Sequence, residues 1–292
     1  VDIDVSLVTR LIVQQFPQWA GLPIKPVEFS GWDNRTFRLG DDMTVRLPSH
    51  EAYEAQVKKE QQWLPRLASH IHIAIPTPVG MGMPSDDYPL HWSIYSWIEG
   101  ENATTERIFN LNDFATELAQ FLIALQQIDA SGGPPPGAHN FYRGGSLDTY
   151  DKETRKAIAD LNGVINVASA TAVWESALRA EWNAIPVWVH GDMYPTNLLV
   201  KDGRLSAVID FGCSAVGDPA CDLTIAWTFF FGQNREVFRT HLQLDDGTWE
   251  RARGWALWKA LITIANPSDV PSGRFEESLR VIKDVIAEHK QQ

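Results

Sequence analysis

The sequence predicts a two-lobed α+β protein: a small antiparallel-sheet lobe at residues 1–98, then a larger, mainly helical lobe at residues 99–292. Three observations carry that prediction. Short alternating segments and a hairpin turn crowd the first lobe. From Asn112 onward, apolar residues recur mainly at helical spacing. The change from one pattern to the other falls between Ile98 and Glu101.

In chain order, Val5, Val8, Leu11, Ile12 and Phe16 share one face of a helix that Pro17 ends. Strands follow at Val27–Phe29, Thr36–Leu39 and Met43–Leu47, the last two joined through Gly40-Asp41-Asp42, a hairpin signal. Ser49–Leu67 reads as a helix. Ile71–Ile75 and His91–Trp97 read as strands flanking a Pro- and Gly-rich loop. In the second lobe Phe114, Leu118, Phe121, Leu122 and Leu125 mark an amphipathic helix with Asn112 as its cap. The tract Ser131–Gly137 (SGGPPPG) breaks the pattern, and helices resume at Asp151–Asn162 and Ala168–Trp182. Short strands at Val187–Val189, Leu198–Lys201 and Leu205–Ile209 precede a mainly helical remainder.

Charge and composition narrow the function. Lys plus Arg number 25 against 37 Asp plus Glu, a net charge of −12, which disfavours nucleic acid and anionic membrane as partners. No apolar run reaches the roughly 18–20 residues that span a bilayer, and the first segment lacks the basic start of a signal peptide. Two cysteines, Cys213 and Cys221, exclude a disulfide framework and fit a reducing cytoplasm. His70 and His72 alternate onto one strand face without a third ligand nearby, so no zinc site is expected.

The chemistry-bearing segment is Val187–Leu223, VWVHGDMYPTNLLVKDGRLSAVIDFGCSAVGDPACDL. A strand delivers His190-Gly191-Asp192 into a loop, and Asn197 follows five positions after Asp192. A hairpin turning at Asp202-Gly203 returns the chain to Asp210-Phe211-Gly212. Asp192, Asn197 and Asp210 can therefore converge. Phosphoryl transfer needs an aligned hydroxyl and a divalent metal more than covalent help, and Mg²⁺ takes oxygen ligands while keeping several waters.

Together HGDMYPTN, IDFG and GDPACDL resemble the core of the aminoglycoside phosphotransferase family, relatives of the protein kinases, with His-Gly-Asp where kinases carry His-Arg-Asp. The resemblance implies a protein-kinase-like fold. It also implies that Asp192 is the catalytic base, that Asn197 and Asp210 bind Mg²⁺, and that ATP or GTP is the phosphate donor. His190 reads as structural, Asp218 before Pro219 as a helix cap, and Asp222 as an internal brace.

The first lobe supplies a second pair. Glu60 lies on the apolar stripe Tyr53, Val57, Leu64, Leu67, where a carboxylate needs a partner. Arg46, on the alternate face of the strand Met43–Leu47, is the candidate, standing where many kinases place Lys. A purely structural ion pair is the alternative. Lys58 and Lys59 fall off that stripe and read as solvated. Gly31 and Asn34, within Ser30–Asn34, occupy the position of the family's phosphate-covering loop, and Ser96, Trp97 and Ile98 that of the purine-contacting hinge. The block His139–Thr149 (HNFYRGGSLDT) carries no mechanism of its own, whether substrate loop or structural turn.

The acceptor, a small-molecule hydroxyl, stays open. Carboxylates such as Glu99, Glu101, Asp113, Glu117, Asp222, Glu276 and Glu277 would suit an aminoglycoside antibiotic, whereas the 12 tryptophans, Trp227, Trp255 and Trp258 among them, and Phe229–Phe231 would suit a macrolide. An aminoglycoside-like or other antibiotic is the expected acceptor, a macrolide or a choline-, homoserine- or sugar-type metabolite the alternative, and monomer and homodimer both stay open. The competing classes are a non-catalytic nucleotide-binding protein of the same fold and a metal-dependent phosphohydrolase.

Overall fold

The computed structural model describes residues 2–27, 33–265 and 273–290. Alternation in the first lobe builds β1 (Ile24–Pro26), β2 (Asn34–Leu39), β3 (Met43–Pro48), β4 (Pro78–Gly82) and β5 (Trp92–Ser96) into an antiparallel sheet ordered β1-β2-β3-β5-β4. Helix α1 (Val5–Gln15) is capped by Asp4, whose carboxylate accepts from the Leu7 N–H. Leu7, Val8, Leu11 and Ile12 of α1 share a core with Phe37, Leu39, Val45, Leu47 and Ile94 of the sheet. Each fully buried aliphatic side chain there contributes roughly 1.5–3 kcal/mol.

Helix α2 (Glu54–Ala68) buries two stripes rather than one. Val57, Glu60, Leu64 and Leu67 form the expected stripe. Gln56, Lys59 and Trp63, three and four residues apart, form a second one facing the helical lobe, where Trp63 packs on Trp188 with ring centroids 5.0 Å apart. Lys59 is thus buried, not solvated: its stripe is the lobe interface, which a one-face reading of the helix leaves out.

Three further expectations change. Ile71–Ile75 is no strand. Its alternating isoleucines cross toward the helical lobe, where Ile71 and Ile75 join the larger core and Ala74 makes a single parallel bridge to Ala207. The Pro- and Gly-rich loop instead forms edge strand β4, the place where a sheet tolerates proline, with a register shift between Pro78 and Gly80. The first strand is Ile24–Pro26. Of the predicted Val27–Phe29, residues 28 and 29 lie outside the described residues.

In the larger lobe, helix α3 (Leu111–Gln127) is capped by Asn110, not Asn112: the Asn110 side chain accepts from the Asn112 and Asp113 N–H groups. Helices α4 (Asp151–Asp160) and α5 (Val167–Arg179) follow. Strand β7 (Val187–Val189) pairs antiparallel with β10 (Ala215–Gly217). Strands β8 (Leu198–Lys201) and β9 (Arg204–Val208) form the predicted hairpin, joined on its outer side by β6 (Glu101–Asn102). Asp202 and Gly203 at its turn have φ 52° and 73°, the positive values that a two-residue type I′ turn demands. Helices α6 (Ile225–Thr228), α7 (Gly232–Leu242), α8 (Asp246–Ala265) and α9 (Arg274–His289) complete the lobe. Helix α8 is buried on most sides; its Arg251 forms two bonds to the buried Asp218 carboxylate, at 2.6 and 3.1 Å, tying the GDPACDL segment to the core. Among the described residues no helix is long and apolar enough to cross a membrane.

Candidate active site

Strand β7 ends at Val189, and the loop that begins with His190 is fixed by a buried carboxylate. The Asp222 carboxylate accepts from the N–H groups of His190 and Gly191, both at 2.7 Å. Burial raises the Asp222 carboxyl above its ordinary value, against the pull of His190 and those two bonds. The His190 ring spans two segments: Nδ1 accepts from the Asp192 N–H at 3.2 Å and Nε2 donates to the Ile209 carbonyl at 2.9 Å. Those partners fix its tautomer and its structural role. Gly191 has φ 84°, and a Cβ there would stand 2.3 Å from the Cys213 carbonyl oxygen. The glycine that replaces the kinase arginine is therefore required by this loop's close approach to the Asp210-Phe211-Gly212 turn.

Asp192 emerges from that loop half-exposed. Asn197 Nδ2 donates to its backbone oxygen at 2.9 Å and to its Oδ2 at 3.0 Å. Lys259 Nζ of α8 lies 3.6 Å from Oδ1. Burial alone would raise this carboxyl, but Lys259, Arg143, His190 and the Asn197 bond hold it below its ordinary value. It is ionised near neutral pH.

Asp210 adopts the left-handed region, with φ 65° and ψ 67°. That conformation is uncommon for a residue with a side chain, and such backbone strain tends to gather at functional positions. Its Oδ1 accepts from Arg46 Nη2 at 3.0 Å, and Arg46 Nη1 lies 3.7 Å from Glu60 Oε1. The predicted Arg46–Glu60 pair is present and extends across the lobes to Asp210. Tyr95 also donates to Glu60. Burial raises the Glu60 carboxyl, opposed by Arg46; burial would lower the Arg46 guanidinium, but Asp210 and Glu60 raise it further.

Of the other predicted residues, Gly31 lies outside the described residues, and Asn34 is the buried first residue of β2, paired in register with Pro48. Asp33, just before it, lies close enough to Asp210, Asp192 and Arg46 to feel their charges. Its carboxyl is pushed up to about 6 by burial and by Asp210 and Asp192. At the hinge, Ser96 N–H is committed to the Thr77 carbonyl at 2.9 Å and Trp97 N–H to the Asp42 carbonyl at 2.7 Å.

Beyond Asp192 opens a recess lined by Arg143, Tyr194, Trp255, Trp258, Lys259, Arg274 and Glu277, among others. Arg143 comes from the unassigned block His139–Thr149. Its guanidinium carbon sits 4.5 Å from the Trp258 ring centre and 5.5 Å from that of Trp255. Trp227 and Phe230 are core. Of the seven acids considered for the acceptor, Glu277 lines the recess; Glu101 pairs with Arg107, Glu117 with Arg204, and Asp222 braces the loop. Lys59, Asp33, Lys259 and Arg274 escaped sequence reasoning. For Lys259 a signal existed: one cation inside the run Trp255–Ala265, where every other side chain is apolar or threonine.

The donor set suits a magnesium ion. The Asn197 amide nitrogen is engaged by Asp192, so its oxygen faces away from that bond; Asp210 has one carboxylate oxygen engaged by Arg46 and keeps the other. One amide and one carboxylate oxygen are what Mg²⁺ takes when phosphates and water fill the remaining positions. Among the described residues no cluster of three His, Cys, Asp or Glu could hold a metal alone.

A model of the phosphotransferase enzyme family matches residues 23–255. The chain belongs to that family. Among solved structures, this family member resembles the GDP complex of aminoglycoside 2′-phosphotransferase-IIIa with a TM-score of 0.75 and 18% identity, covering 98% of this chain and 100% of that one. It also resembles macrolide 2′-phosphotransferase MphH from Brachybacterium faecium, with a TM-score of 0.62 and 20% identity over 95% and 98% of the two chains. These likenesses establish the two-lobed kinase-like fold. A sequence relative, uncharacterized protein YcbJ of Bacillus subtilis (strain 168), is 23% identical over 167 residues, 55% of this phosphotransferase-family chain and 51% of that protein. The chain thus spans about half the length of that relative.

Proposed function

We propose that the protein transfers the γ-phosphoryl group of ATP or GTP to a hydroxyl of a small molecule, in a Mg²⁺-dependent reaction. The observation that carries this reading is the joining of the Asp192–Asn197 pair to the segment that bears Asp210: the Ile209 N–H donates to the Asn197 carbonyl at 2.9 Å, and the next residue, Asp210, accepts from Arg46, which also faces Glu60. Residues 1–98 hold the donor and residues 99–292 the acceptor.

Asp192 accepts the hydroxyl proton on its carboxylate. The acceptor oxygen forms its bond to the γ-phosphorus while the bond to the β–γ bridging oxygen breaks, and the nucleoside diphosphate departs with that electron pair. Because Asp192 is held ionised by Lys259 and Arg143, it is ready as a base at neutral pH. Arg46 contacts the donor phosphates, positioned by Glu60. Asn197 and Asp210 would hold Mg²⁺, which, when bound, neutralises charge on the phosphates. Gly31 and Asn34 border the phosphates. With the Ser96 and Trp97 N–H groups committed, the Ile98 N–H is the hinge donor for the purine. The aminoglycoside and macrolide enzymes of like fold suggest antibiotics as acceptors, and small metabolites fit the same chemistry. The two free cysteines suit a reducing cytoplasm.

The test is Asp192→Asn. A general base contributes typically 10²–10⁴-fold, so kcat should fall by about 10³ while the nucleotide Kd stays within about threefold. Asn197→Ala should raise the Mg²⁺ concentration needed for half-maximal rate. Unchanged turnover of Asp192→Asn on a confirmed acceptor would remove the assigned base. Nucleotide hydrolysis that no acceptor accelerates would point to a phosphohydrolase, and metal-independent nucleotide binding without transfer to a non-catalytic protein.

A further inference from the structure

We infer that the acceptor is an anion: a hydroxyl compound whose carboxylate or phosphate group is held by Arg143 and Arg274. This rests on reading Asp192 as the base that faces the acceptor hydroxyl. The recess beyond Asp192 carries three cations, Arg143, Lys259 and Arg274, against two carboxylates, Asp192 and Glu277, among the described residues. The chain as a whole carries a net charge of −12, so a cationic recess runs against its background.

The charges are not equally free. Lys259 stands 3.6 Å from Asp192 and balances it. Glu277 accepts the Tyr194 phenol through both oxygens, at 2.6 and 2.8 Å. That leaves Arg143 and Arg274, neither of which pairs with a carboxylate among the described residues. Each is held instead by aromatic rings: Arg143 over Trp258 and Trp255, and Arg274 with its guanidinium carbon 4.4 Å from the Tyr194 ring centre. A guanidinium fixed by stacking is preorganised to offer its N–H fork to a carboxylate or phosphate.

The cleft is therefore divided. Asp33 and Asp210 set carboxylates around Arg46 on its donor side, suited to a metal-bearing nucleotide, while the acceptor side keeps a net charge of +1 among the described residues and two guanidinium groups that no carboxylate there pairs with. A polyamine such as an aminoglycoside would bring like charge onto Arg143 and Arg274. A hydroxy acid or a phosphorylated alcohol would neutralise them while its carbon skeleton lies along Trp255, Trp258 and Val281.

The experiment uses charge-matched sets of hydroxyl compounds: glycerate and gluconate, glycerol 3-phosphate and glucose 6-phosphate, neutral glycerol and glucose, and 3-amino-1,2-propanediol and glucosamine, with kanamycin and erythromycin alongside. Transfer from labelled Mg-ATP and Mg-GTP is measured with the wild-type chain, and acceptor binding by calorimetry with both the wild type and Asp192→Asn. The anionic members should exceed their neutral partners in kcat/KM and in affinity by about tenfold or more, the scale of one charge-assisted arginine contact. Arg274→Gln should raise KM for the anions by about tenfold with kcat changed by less than about threefold, whereas Arg143→Gln should raise KM as much and lower kcat as well, because Arg143 also helps hold Asp192 ionised. Whether the carboxylate or the phosphate set leads identifies the group. Preference for neutral or amine members overturns the inference, as does an anion-to-neutral ratio unchanged in both variants or an absence of preferential anion binding. Anion binding that requires both arginines, with no transfer to any hydroxyl, leaves the anion site standing and overturns the phosphotransferase reading together with the anion's part as acceptor. Transfer to neutral or amine compounds alone does the reverse.

Discussion

The ammonium group of Lys59 donates to the Gly212 carbonyl oxygen at 2.7 Å, joining helix α2 to the turn that carries Asp210. It also bonds the Ser214 carbonyl at 2.9 Å and His139 Nδ1 at 3.1 Å, so its three protons meet three acceptors. Burial pulls this lysine down to about 8, and it remains mostly protonated at neutral pH. The next residue, Glu60, grips Arg46. One helix therefore sets both the donor-lobe charge pair and the turn behind Asp210. Replacing Lys59 with Met strands two buried carbonyls, and each unmade bond costs about 1–3 kcal/mol. Urea unfolding of Lys59→Met should show a loss of about 2–4 kcal/mol; a midpoint equal to wild type would mean the strut carries no load.

Asp33 makes the pH dependence of stability predictable in sign. Its carboxyl is raised to about 6 from an ordinary 3.8, first by burial and then by Asp210 and Asp192. A carboxyl that holds its proton more tightly when folded stabilises the fold fully below the unfolded value. That contribution is lost as pH rises through the folded one. With allowance for solvent at a half-buried site, Asp33→Asn should stabilise the unliganded protein by about 1 kcal/mol at pH 7. The gain should shrink toward zero by pH 4. Urea midpoints from pH 4 to 8 decide it: a gain independent of pH would assign the effect to something other than the charge.

The fold and the donor half of the site were legible because both are written locally. Hairpin β8–β9 announces itself through Asp202-Gly203, and an acid on an apolar helical stripe asks for a partner, so Glu60 led to Arg46. Lys59 was not legible, since its burial depends on a second lobe covering a face that the helix alone leaves open. Nor was the choice of Asn110 over Asn112 as the cap of α3: asparagine caps well at either position, and backbone geometry alone decides between them. The acceptor recess was illegible for a similar reason. Arg143, Lys259 and Arg274 come from a loop and two helices that no spacing rule brings together.

Arg46 separates charge from geometry. Arg46→Met leaves Glu60 buried with Tyr95 as its remaining partner, and Glu60 Oε1 already lacks a hydrogen bond. Removing one member of a buried pair costs about 3–5 kcal/mol, so this variant should unfold at markedly lower urea. Arg46→Lys keeps the charge but not the fork that spans Glu60 and Asp210. It should remain folded and raise KM for the nucleotide several-fold. Equal stability of the Met and Lys variants would show that Glu60 is neutral in the folded protein.

Gly191 links backbone conformation to chemistry. Its φ is 84°, and a methyl group added there would come within 2.3 Å of the Cys213 carbonyl oxygen. Gly191→Ala must therefore move either the loop bearing Asp192 or the turn after Asp210. Gly163 is the control: φ is 87°, but nothing lies within 4 Å of the added methyl group. Both substitutions incur the conformational cost of about 1–2 kcal/mol for a side chain at positive φ. Only Gly191→Ala displaces the base, and misplacement by about 1 Å can cost about 10²-fold in rate. Gly191→Ala should therefore lose kcat by that order with the nucleotide Kd little changed, whereas Gly163→Ala should lose stability alone. If the two variants lose the same stability and neither loses rate, the loop's hold on Asp192 does not govern turnover.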